Sequence, residues 1–127
     1  MTSFAIIITL ITLGFYQFLS INVSAARDTY KIKAPAVTGN VNFERIYRTH
    51  LNFLENMVIF LPLALILGVK IPNNMFYMVF SILCLAFKII FSFCYIKNLP
   101  FKIKLGFNIG ATISTVALFI LVITTLF

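Results

Sequence analysis

The sequence predicts an all-α integral membrane protein, a bundle of four transmembrane helices. Three observations predict it. Hydrophobic residues make up 61% of the 127-residue chain and charged residues only 10%, outside the balance of a water-soluble domain of this length. Four apolar stretches follow one another, each near the roughly 20 residues needed to cross hydrocarbon. The segments between them are short and carry the turn formers. Four such spans use up most of the chain, so residues 1–127 read as a single membrane domain without a separate soluble part.

The first span is expected over residues 4–26. Val23, Ser24 and Ala25 resemble a leader-peptide cleavage site. However, no basic residue precedes the stretch, and it has the length of a span, so it reads as an uncleaved helix. A polar loop, residues 27–42, follows with Pro35, Gly39 and Asn40. The second span, 43–69, opens on Glu44, Arg45, Arg48, His50, Asn52 and Glu55 and becomes apolar only from Met57. Gly68, Lys70 and Pro72 end it. The third span is expected over 74–97, a turn holds Asn98 and Pro100, and the fourth runs over 102–127. The short turns make these helices antiparallel neighbours.

Ten Lys and Arg against three Asp and Glu give a net charge of +7. The basic residues sit between apolar spans and form no continuous stripe, which argues against nucleic acid and for anionic headgroups or an anionic ligand. Arg27, Lys31, Lys33, Lys97, Lys102 and Lys104 fall on one side of the membrane, with little beyond Lys70 on the other. The positive-inside rule makes the first side cytoplasmic and puts both termini on the far side. Cys84 and Cys94 lie in one helix at a rise of about 15 Å, too far apart to bridge, and read as buried thiols. No metal is expected.

Ionisable residues inside a span are costly unless paired or hydrated. At about 100° per residue, Arg45, Arg48, Asn52 and Glu55 share one helix face, with Asn56 near it and His50 pointing away. Internal pairing of Arg48 with Glu55 and Arg45 with Glu44 could account for part of the stripe. The cations outnumber the acids, however, and helices three and four add more polar groups. Lys88, Ser92 and Tyr95 share a face, and Lys104 precedes Asn108 by one turn. Together these residues describe a basic pocket suited to a small ligand with two carboxylates and one ammonium group. On helix four, Gly106, Gly110 and Ser114 recur every four residues, a spacing that permits close helix approach within the chain or between subunits.

The segment Phe43-Glu44-Arg45-Ile46-Tyr47-Arg48-Thr49-His50-Leu51-Asn52-Phe53-Leu54-Glu55-Asn56, followed by Phe60-Leu61-Pro62, closely resembles the signature of the MAPEG family, membrane-associated proteins in eicosanoid and glutathione metabolism. The resemblance extends over the whole chain and is greatest to the short bacterial members. It implies a homotrimer in a bacterial inner membrane, with glutathione held between neighbouring subunits and open to the cytoplasmic side. Arg48, Asn52 and Glu55 would hold glutathione from one subunit, with Tyr95 lining the same cleft. Arg27 and His50 would reach the site of an adjoining subunit. Lys104 stands at the catalytic position, where the family carries an arginine thought to stabilise the glutathione thiolate, and Lys102 is close in register. Other departures are Asp28, Asn56 and Leu105.

The activity so implied is a glutathione transferase, with peroxidase activity as a further capacity, acting on a lipophilic electrophile from the bilayer. A non-enzymatic, lipid-binding scaffold of the same family is the alternative. A small four-helix transporter fits less well, because helix one has no acid before Asp28.

Overall fold

The computed structural model describes residues 3–127 and consists, among those residues, of helices α1 (Ser3–Tyr30), α2 (Val41–Lys70), α3 (Met75–Ile96) and α4 (Phe101–Leu126). All four are long and apolar enough to cross a membrane. Only 17–33% of each apolar window is buried inside the chain. The rest is a lipid-facing apolar surface, which an aqueous protein would not expose to this extent.

The helix ends differ from expectation chiefly at α1, which continues past Ala26 to Tyr30. Arg27 and Asp28 therefore belong to its last turn and not to the loop. Falling hydropathy marks where the chain leaves hydrocarbon, but it does not stop a helix. The stop comes at Lys31, which turns left-handed with φ 55° while Ile32 N–H bonds back to the Arg27 carbonyl at 3.0 Å.

α2 begins two residues earlier than expected because Asn40 caps it. The Asn40 Oδ1 accepts from the N–H groups of Asn42 and Phe43 at 2.9 and 3.2 Å. Glu44 then accepts from the Gly39 N–H at 3.1 Å, so this carboxylate serves the helix start and not an Arg45 pair. Gly39 holds φ 126°, a conformation that side chains disfavour. At the other end, Asn74 caps α3 by accepting from the Tyr77 N–H at 3.1 Å.

α2 and α3 each touch all of the other three helices, whereas α1 and α4 do not meet among the described residues. α1 packs on α2 and α4 packs on α3. The core runs between them through Leu19, Phe53, Phe60, Leu67, Tyr77, Cys84 and Leu118. Both cysteines are free and buried, as expected. The expected small-residue stripe on α4 is only partly used within the chain. A methyl at Gly110 would meet the Phe87 ring at 3.0 Å, but one at Gly106 would meet nothing within 4 Å. The tightest approach is elsewhere, at Gly68, where an added Cβ would lie 2.6 Å from the Ala5 Cβ.

Candidate functional site

The polar opening of α2 supplies one wall of the site. Arg48 donates to Glu55 Oε1 at 3.4 Å, and both side chains remain more than half exposed, at 51% and 58%. Much of their hydrogen-bonding capacity is therefore open to a ligand. Asn52 is tied into the same face, because Asn56 Nδ2 donates to its backbone oxygen at 2.6 Å and to its Oδ1 at 3.2 Å. Arg45 departs from the expected stripe and donates to Asn42 Oδ1 at 3.4 Å, towards the helix start.

Across from this face stands α3. Arg48, Thr49 and Asn52 line a small cleft with Phe91 and Tyr95, about 30 Å³ in volume. α4 closes the same end, placing Lys104 Nζ 5.1 Å from the centre of the Tyr95 ring, within cation–π range. Three helices thus bring Arg48, Asn52, Glu55, Tyr95 and Lys104 together. Lys102 lies exposed in the first turn of α4. Thr49 and Phe91 were missed from sequence. Phe91 precedes Tyr95 by one turn, a spacing that could have marked it.

Arg27 and His50 lie apart from this cleft. The Arg27 guanidinium donates to the Ala36 carbonyl at 2.7 Å and sits 5.1 Å from the Phe43 ring centre, folding the α1–α2 loop back on the helix end. His50 stacks on Tyr16 of α1 with ring centres 4.9 Å apart. Both of its ring nitrogens are buried and lack a partner among the described residues.

Deeper in the bundle lies a second polar group. Lys88 is 5% exposed and donates to Asn108 Oδ1 at 2.9 Å, and Ser92 turns back to the Lys88 carbonyl at 2.9 Å. Lys88 was expected in the basic pocket. The structure instead turns it towards α4, with the Phe91 ring 5.6 Å away. A lateral groove of about 310 Å³ opens between α2 and α4, lined by Asn56, Ile59, Thr112, Thr115, Val116 and Phe119. Among the described residues, no group of three or more His, Cys, Asp or Glu side chains gathers to hold a metal ion.

Four apolar helices with a cation-rich cleft at one end define a multi-pass integral membrane protein. The chain belongs to the MAPEG family, whose model matches residues 5–127. It is 32% identical over 62 residues to leukotriene C4 synthase of Bos taurus, a match covering 49% of this chain. It is 45% identical over 56 residues to the uncharacterized protein sll1147 of Synechocystis sp., covering 44% of this chain. Each match spans 41% of the relative's own length.

Proposed function

We propose that this protein is a membrane-bound glutathione transferase that joins the glutathione thiolate to a lipophilic electrophile, with peroxidase activity as a further capacity. The observation that carries this reading is the convergence of Arg48, Asn52, Glu55, Tyr95 and Lys104 from three helices, in a chain of the MAPEG family. Arg48 offers a planar fork for a carboxylate, and Glu55 offers a counter-charge for the ammonium. Asn52 and Tyr95 supply hydrogen bonds along the peptide. Lys104 is the cation that favours thiolate over thiol, and the thiolate is the nucleophile. As a compact ammonium it does so as a point charge, without the directional fork of an arginine.

A cleft of about 30 Å³ holds roughly one water molecule, so a tripeptide would lie over its mouth and need cover from outside the chain. The family resemblance supplies that cover as a homotrimer, in which Arg27 and His50 reach a neighbour's site. Within the chain the His50 nitrogens are closed off from the surface, so its part in a neighbour's site rests on the family resemblance. The lateral groove beside Asn56 offers the lipophilic partner a path from the bilayer to the polar end. The excess of Lys and Arg at that end supports a cytoplasmic site in a bacterial inner membrane, with both termini opposite.

The test is to purify the protein in detergent, add glutathione, and record thiolate absorbance and conjugation of a general electrophile. Wild type, Arg48→Ala and Lys104→Ala are compared. Wild type that neither binds glutathione nor forms product overturns the enzyme reading. Binding without turnover by wild type would favour the lipid-binding scaffold. Binding that survives Arg48→Ala unchanged rejects the site.

A further inference from the structure

We infer that Lys88 is a positioning residue: through its bond to Asn108 it sets the register of α4 on α3, and so holds Lys104 over Tyr95. The inference rests on the proposed role of Lys104 as the cation of the thiolate.

Lys88 is an ammonium in an expensive place. It lies eight residues before the end of α3, about 12 Å from the polar end of that helix, and it is 5% exposed. The ion pair found among the described residues is Arg48–Glu55, so no carboxylate neutralises Lys88. Its one hydrogen bond goes to Asn108 Oδ1, at 2.9 Å. Nor does it line the cleft formed by Arg48, Thr49, Asn52, Phe91 and Tyr95. A buried cation without an acid, outside the cleft, calls for a role other than direct ligand binding.

The geometry supplies that role. Asn108 follows Lys104 by four residues, hence about one turn away on the same side of α4. Three polar contacts cross between α3 and α4: Cys84 with Thr115 at 3.2 Å, Lys88 with Asn108 at 2.9 Å, and Tyr95 with Lys104 at 5.1 Å. As the number rises on α3 it falls on α4, so the three form the rungs of an antiparallel ladder. Apolar contacts also seat α4, with Ala111 and Leu118 buried and Gly110 close against the Phe87 ring, but they lie further along the helix from Lys104 than Asn108 does. Pro100 gives its start no side-chain cap, Thr112 and Ser114 bond their own backbone, and the space beside Gly106 is open. The Lys104–Tyr95 rung is a cation–π contact, which weakens once the cation leaves the ring face. The neighbouring rung, a charged hydrogen bond in hydrocarbon, is the directional one. Arg48 and Glu55 from α2, Tyr95 from α3 and Lys104 from α4 are the ionisable groups at the site, and of these Lys104 is carried by α4.

The test uses the full chain in detergent and compares Lys88→Met, Lys88→Arg and the double variant Lys88→Leu with Asn108→Leu. Replacing both partners with apolar groups leaves no unmade buried bond, so the double variant retains its fold. The first readout is the ring-current shift that Tyr95 imposes on the Lys104 side chain, read by NMR without glutathione. We expect it in wild type and Lys88→Arg, and expect it lost in Lys88→Met and in the double variant. The second is the fraction of bound glutathione present as thiolate at a pH at least one unit below the thiol pKa in the wild-type complex. It should fall about tenfold in Lys88→Met, equal to one pKa unit, while glutathione affinity changes less than about threefold. In a Lys104→Met background, Lys88→Met should add nothing.

An unchanged ring-current shift in both Lys88→Met and the double variant overturns the inference. So does an undiminished thiolate effect of Lys88→Met in the Lys104→Met background, which would mean that Lys88 acts independently. Wild type without glutathione binding rejects the proposed function instead, and the ring-current readout still decides the ladder.

Discussion

In the α1–α2 pair the closest contact is between a glycine and a methyl group. Gly68 leaves room for Ala5, with the Tyr77 hydroxyl beside it. In the α3–α4 pair, thiol, hydroxyl, ammonium and amide groups cross between the helices at Cys84–Thr115 and Lys88–Asn108. Both solve the same problem. Hydrocarbon already surrounds apolar side chains, so burying them against each other gains little, and membrane helices associate through close packing or hydrogen bonds. At the end of α2 remote from the cleft, close packing at Gly68 holds α1 to α2, while nearer the cleft His50 stacks on Tyr16; among the described residues no side-chain hydrogen bond joins the two helices. Hydrogen bonds hold α3 to α4 and lead towards Lys104, where orientation matters.

Substitutions can break this contrast in order of expected effect. The largest is Lys104→Ala on the polar pair: turnover with a general electrophile should fall about 100-fold with glutathione affinity little changed, as when one preorganised electrostatic group is removed. Arg48→Ala, on the α2 face opposite α3, should weaken glutathione binding about 10-fold or more, the usual loss for a charged hydrogen bond. Equilibrium binding measures it.

Gly68→Ala comes next, on the apolar pair. Its Cβ would lie 2.6 Å from a methyl that has no rotamer to move, so unfolding in detergent should show a loss of about 1–3 kcal/mol. Asn40→Ala should cost about 1 kcal/mol by removing the α2 cap, seen as a lower midpoint in the same unfolding assay. The smallest effect sharpens the contrast most. Gly106→Ala has open space around it and should be neutral or stabilising by up to about 1 kcal/mol. Equal destabilisation by Gly68→Ala and Gly106→Ala would erase the distinction drawn between the two positions.

Much of the fold was legible in the sequence because hydrophobic transfer depends on composition and length. Four spans, their order and short turns follow from that, and so does the polar face of α2, since Arg48, Asn52 and Glu55 recur with the helix period. Helix ends were less legible. Capping by Asn40 and the left-handed turn at Lys31 decide where α2 starts and α1 stops, and hydropathy registers neither. Glycine spacing was informative only in part, for a related reason. The Gly106–Gly110–Ser114 pattern says that a close approach is possible, while the isolated Gly68, with no periodic signal, is where the helices come nearest.

The sequence by itself determined that this chain lives in a membrane, that it crosses four times, and that one helix carries charges too costly to be idle. Those properties reside in single segments. The tertiary structure decided which helix faces those charges, because a periodic pattern defines a face without saying what it meets. Only packing places Tyr95 and Phe91 opposite Arg48, leaves His50 against Tyr16, and turns Lys88 away from the cleft towards Asn108. Sequence spacing orients side chains about one helix axis, and the relation between two axes is set by contacts far apart in the chain.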